Sequence, residues 1–120
     1  MQPGLQPTVY GISNCDTVRK ARRWLEQQPV DYRFHDFRED GVPAAEIRRW
    51  LGEKGWETVL NRRSTSGRAL APELRDNMNN AQALEQCLAT PTLIRRPVLV
   101  AYRILEFGFS ADRYAALLGA

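Results

Sequence analysis

Histidine occurs once in these 120 residues, cysteine twice and lysine twice, and each scarcity closes off a class of chemistry. A lone His35 with Cys15 and Cys87 offers too few and too scattered ligands for a zinc site, and two cysteines make a poor disulfide framework. No metal is expected. No apolar run approaches the roughly 20 residues that span a bilayer, and positions 1–8 lack the basic-then-apolar pattern of a secretion signal. A cytoplasmic protein with no membrane partner is therefore expected. Internal repeats and linkers rich in Pro, Gly or Ser are also missing, so a single domain is expected over 1–120. Hydrophobic residues at 43% and charged residues at 26% lie near globular averages and exclude wholesale disorder.

Arginine is what the chain has in quantity. It supplies fifteen of the seventeen basic residues, against Lys20 and Lys54, in a chain of net charge +3. Such a bias can follow genome composition alone, but the planar guanidinium fork also suits carboxylates, phosphates and other oxyanions. The arginines form no stripe of the kind that tracks a nucleic acid: Arg19, Arg22 and Arg23 are offset by Glu26, and Arg48 and Arg49 by Glu46 and Glu53. Small anions are the expected partners, and direct nucleic-acid binding is not.

Thr8 to Ile12 is a β-favouring run closed by Ser13 and Asn14, both turn and cap formers. Val18, Ala21, Trp24 and Leu25 then fall at helical spacing until Pro29, and Asp31 to Phe37 alternates as a second strand, parallel to the first after a helical crossover. The middle reads as helical. Pro43 opens a stripe of Ile47, Trp50 and Leu51 that Gly52 and Gly55 are expected to break, residues 56–60 suit a short helical turn, and 61–68 is a polar stretch. Pro72 starts a further segment, and Asn79 or Asn80 caps a helix with Leu84, Cys87 and Leu88 on one face. Residues 97–102 and 104–108 are apolar runs separated by Arg103 alone, expected as adjacent antiparallel strands. Ser110 caps a last helix over 111–118, with Phe109 and Tyr114 at the spacing of a hydrophobic staple. The summed order is β-α-β, a helical insert over about 41–89, then β-β-α, with a core over about 8–40 and 90–118. That is the α/β order of a thioredoxin-like domain with a mixed four-stranded sheet.

Cys15 stands where the first strand hands over to a helix, so the unpaired amides of the first helical turn should favour its thiolate. Arg19, one turn along, is expected to lend positive charge, while Asp16 works in the opposite sense; a net fall in pKa is expected. Cys87, on an apolar stripe, reads as inert packing. Position 18 is valine, so there is no C-x-x-C pair, and a resolving thiol must come from Cys87 or from another molecule. A phosphatase-type C-x5-R loop would need arginine where Ala21 stands. A papain-like site would need His35, which lies in the second strand.

Residues 10–21 (Tyr10 to Ala21 around Cys15), 31–36 (Asp31 to Asp36) and 94–100 (Ile94 to Val100) resemble the three signatures of the ArsC-type arsenate reductase family. The resemblance is strongest to its YffB-like branch, with the Spx transcription regulators as cousins, and covers about residues 8–118. It implies a thioredoxin-like fold with a helical insert. It also implies a chemistry in which one cysteine attacks arsenate, glutathione resolves the arsenic adduct and glutaredoxin removes the glutathione. Cys15 matches that nucleophile, and Arg19 shares its C-x-x-x-R spacing. Arg96 and Pro97 match an Arg-Pro pair whose peptide bond is usually cis in this fold, with Arg96 expected to hold an anionic substrate or the glutathione carboxylate. A further family arginine lies in the insert, matched by Arg63 or by Arg62. A third falls near Phe107-Gly108-Phe109-Ser110, where this chain has phenylalanine.

The expected function is thus a glutathione-dependent thiol-disulfide oxidoreductase. Cys15 is its nucleophile, Asn14 and the helix amides steady the sulfur, and Arg63 and Arg96 clamp the anionic group. Glutathione is expected as a co-substrate rather than a resident cofactor, glutaredoxin as a partner protein, and the chain as a monomer. Arsenate reduction is the alternative within the same chemistry, and an Spx-like regulator docking on RNA polymerase the alternative of another class.

Overall fold

A computed structural model describes residues 6–119. Within them the chain divides into two compact units, one built from the described parts of 1–41 and 96–120, the other from 42–95.

The first unit carries the sheet. Strand β1 (Thr8–Gly11) leads through helix α1 (Asp16–Glu26) to β2 (Arg33–Asp36), which lies parallel to β1 with Val9 opposite Phe34 and Gly11 opposite Asp36. β3 (Val98–Ala101) joins the other side of β1 antiparallel, and β4 (Ile104–Phe107) pairs antiparallel with β3, giving the order β2-β1-β3-β4. This is the mixed four-stranded, thioredoxin-like sheet expected from the element order. Alternation along the strands puts Val9 and its partner Leu99 on one face, where they are fully buried with Ala21 and Leu25 of α1 and Tyr114 of the last helix. The 18/21/25 spacing places Val18, Ala21 and Leu25 on the buried side of α1 and leaves Arg19, Lys20 and Arg23 in water.

In the second unit, α2 (Ala44–Lys54) packs on α6 (Asn80–Ala89), burying Ile47, Trp50 and Leu51 on one side and Ala83 and Cys87 on the other. Asn79 caps α6 with a reciprocal capping box to Gln82. The Asn80 side chain donates to Leu51 O at 3.2 Å and accepts from Trp56 N at 3.2 Å, where α3 (Trp56–Val59) begins. Short helices α4 (Thr65–Arg68) and α5 (Pro72–Asp76) and a single 3-10 turn at Pro91–Leu93 complete the unit.

Four local expectations change. Gly52 does not break α2, because a glycine inside a helix costs only about 1 kcal/mol and the buried stripe beside it holds the helix; the break comes at Gly55, whose φ of 81° suits glycine. The polar stretch 61–68 contains a helical turn, α4, because the Ser64 hydroxyl accepts the Gly67 amide as an N-cap. The buried stripe of α6 is Ala83 and Cys87, while Leu88 is exposed, since residues four apart share a helix face. The β3–β4 hairpin turns through Tyr102 and Arg103 together, with Arg103 in the left-handed region at φ 60°.

The staple at the start of α7 (Ala111–Leu118) is formed: Ser110 caps Arg113 N, and the rings of Phe109 and Tyr114 meet edge-to-face at 4.9 Å. Tyr114 is 0% exposed, and its hydroxyl finds no hydrogen-bond partner among the described residues. Leaving such a group buried is costly. Tyr114→Phe should therefore raise unfolding stability by about 1 kcal/mol in a urea titration.

Candidate active site

Cys15 is reached through a four-residue turn. The sequence Ile12-Ser13-Asn14-Cys15 closes with Cys15 N donating to Ile12 O at 3.1 Å, and Arg19 N then donates to Cys15 O at 2.9 Å to start α1. Cys15 is thus the N-cap, in extended conformation, with its side chain partly exposed. The thiol makes no conventional side-chain cap; the neighbouring amides act on its charged form instead. Burial raises the Cys15 pKa, but the backbone amides of Val18 and Thr17 and the Arg96 guanidinium, which donates to the sulfur and adds its charge, outweigh that penalty and hold the thiol below its ordinary value.

The other expected site residues divide by place. Arg96 is half-buried, and the Arg96–Pro97 peptide bond is cis, immediately before β3, with Pro97 buried. Asn14 occupies the turn with its side chain exposed, and the groups acting on the sulfur are Val18, Thr17 and Arg96 rather than Asn14. Arg19, expected to lend its charge to Cys15, is instead paired with Asp16 on the exposed side of α1. A carboxylate three residues away on the same face is a better partner than a half-buried sulfur.

Arg63 lies in the second unit, where the turn at Asn61 is tightly held. Arg63 N donates to Asn61 Oδ1 at 3.2 Å, Asn61 N donates to Leu93 O at 2.8 Å, and Gly67 packs so closely beneath that a Cβ there would stand 2.8 Å from the Arg62 backbone. The Arg62 guanidinium lies over the Trp56 ring at 5.5 Å, whereas the exposed Arg63 guanidinium makes no ion pair or hydrogen bond among the described residues. Both arginines are exposed.

Cys87 is 0% exposed, and burial pushes its thiol up to about 12. It is an inert packing residue. Sequence reasoning missed Asp36, a buried carboxylate that accepts from Ser13 N at 3.1 Å and from Arg38 N at 2.8 Å. The signal available was only its place at the end of the second alternating run. Gly11 was missed too: a Cβ there would come within 2.7 Å of Val18 Cγ2, so glycine is what lets α1 approach β1.

The profile of the ArsC family matches residues 10–117. The chain belongs to the ArsC family. Among solved structures, the YffB (PA3664) protein is similar at 43% identity with a TM-score of 0.86, covering 92% of this chain and 97% of that one. An arsenate reductase-related protein from Brucella melitensis is 40% identical with a TM-score of 0.77 over the whole of both chains. An uncharacterized protein of Haemophilus influenzae is 36% identical over 109 residues, 91% of this chain and 96% of its own. The Lactococcus lactis global transcriptional regulator Spx 1 is 30% identical over 112 residues, 92% of this chain and 87% of its own. The ArsC fold accounts for the thioredoxin-like sheet. Among the described residues of this ArsC chain no helix is long and apolar enough to cross a membrane.

Native alkylation with iodoacetamide, read by peptide mass, should modify Cys15 and leave Cys87 untouched. Arg96→Ala removes the only side-chain cation acting on the sulfur among those named above, and should move the alkylation midpoint up by about one pH unit, slowing the reaction at neutral pH by up to tenfold.

Proposed function

We propose that the chain is a thiol-disulfide oxidoreductase that uses Cys15 as its single nucleophile and glutathione as co-substrate. The observation that carries this is a partly exposed thiol at the start of α1, held toward its ionised form by two amides and Arg96. The Cys15 thiolate attacks one sulfur of a disulfide, forms a mixed disulfide with it and expels the other as a thiolate. A glutathione thiolate then attacks the mixed disulfide and releases Cys15. An external thiol is required because Cys87 is sealed and protonated, and because position 18 is a fully buried valine. Arg96, beside the sulfur, serves as the anion-binding arginine. Glutaredoxin would be the natural partner where the mixed disulfide is with glutathione.

Arsenate is a second candidate substrate, favoured by the similarity to an arsenate reductase-related protein. The segment after β4 argues for the disulfide: Phe109 stands there, and its ring packs against Trp24 at 6.5 Å and Tyr114 at 4.9 Å instead of presenting a cation. A multiply charged oxyanion needs more fixed positive donors than this segment supplies. The similarity to an Spx regulator is the ground for a polymerase-docking reading, which would not need the ionised Cys15 thiol that carries the first.

Incubation with oxidised glutathione should give one glutathione adduct, on Cys15, that reduced glutathione or glutaredoxin removes, with little turnover of arsenate under the same coupling. No adduct on Cys15, or arsenate turnover faster than disulfide exchange, would contradict the proposal.

A further inference from the structure

The turn that carries Cys15 is clamped from the neighbouring strand. Asp36 ends β2, opposite Gly11 in the register, and Phe37 N donates to Gly11 O at 2.8 Å, so its backbone is fixed to β1 just before the turn begins. Its side chain is 5% exposed and reaches in two directions. Oδ2 accepts from Ser13 N at 3.1 Å, and Oδ1 accepts from Arg38 N at 2.8 Å and Glu39 N at 3.4 Å. A buried carboxylate is expensive unless such donors surround it. What this arrangement provides is position: it ties the β1–α1 turn to the turn after β2.

We propose that Asp36 is a positioning residue for Cys15, its carboxylate fixing the Ser13 end of the turn so that the first amides of α1 stay aimed at the sulfur. This rests on the reading of Cys15 as the nucleophile. Ser13 and Cys15 belong to the same turn, closed by Cys15 N to Ile12 O, so a shift at Ser13 is transmitted two residues on. The far side of the frame is fixed by the Gly11 approach to Val18, whose amide is the strongest of the favourable groups at the sulfur. Asp36 sets the turn and Gly11 sets the helix. A further carboxylate, Asp40, is engaged in the same frame, accepting from Asp36 N at 2.9 Å.

The sign of the effect separates position from charge. Removing a nearby negative charge by itself would make the thiol more acidic. Releasing the turn would make it less acidic. Asp36→Asn replaces one carboxylate oxygen with an amide NH2 that cannot accept, so either Ser13 or the Arg38 and Glu39 pair loses its acceptor. Ser13→Pro removes the Ser13 amide while leaving the Asp36 charge in place, at a turn position that suits proline. The pH dependence of Cys15 alkylation in the wild type and both variants is the test, with a thermal melt of each in parallel. The wild-type midpoint should lie below the ordinary thiol value of about 8.5. Both variants should move it upward, by about one unit in Asp36→Asn, which is about a tenfold slower alkylation at neutral pH. An unchanged or lowered midpoint in the variants, with or without a lower Tm, would overturn the positioning role while leaving the nucleophile standing. An ordinary midpoint in the wild type would overturn the nucleophile itself, and the positioning role with it.

Discussion

Taking a thiol partly out of water penalises its ionised form, and at Cys15 that penalty is met by groups that would otherwise have nowhere to point. The Thr17 and Val18 amides are orphans of the first turn of α1, and the half-buried Arg96 brings its charge to the same sulfur. Much of the first unit serves this encounter. β1 delivers the turn, β3 follows directly from Arg96 and Pro97, and both strands are fastened to the same core through Val9 and Leu99. Leu25 and Tyr114 close that core, so the helix bearing the amides is seated by apolar burial rather than by the site's own polar contacts.

A thiol held toward its ionised form narrows the class of chemistry more than the fold does. Thioredoxin-like sheets serve many activities, and membership of the ArsC family spans proteins named as reductases and as regulators. What distinguishes this chain is local: an inert Cys87, a buried Val18 three positions after Cys15, and an aromatic Phe109 in the segment after β4. Together they favour a cycle in which the second thiol arrives from solution and the substrate carries modest charge.

The elements and their order along the chain were legible in the sequence because they depend on short-range patterns: β-favouring runs, Pro29, the Ser110 cap and the Phe109–Tyr114 spacing all act within a few residues of themselves. The place of Cys15 at the start of α1 was legible for the same reason, since a strand, a Ser-Asn turn and a helical stripe frame it. Its partners were not. Arg19 stood at the right spacing but also beside Asp16, and no local rule says which partner wins. Arg96 came only through family resemblance, and Asp36 is joined to Ser13 by strand pairing across 23 positions. Gly52 and the 61–68 stretch misled because a buried stripe and a serine cap outweigh the local propensities of glycine and polar residues.

The most direct measurement is an NMR titration with both cysteines labelled at 13Cβ, which reads each sulfur separately in the intact protein. The account predicts that the Cys15 resonance titrates with a midpoint below the ordinary thiol value of about 8.5, while Cys87 stays protonated beyond it. A Cys15 midpoint at or above that value would contradict the central claim.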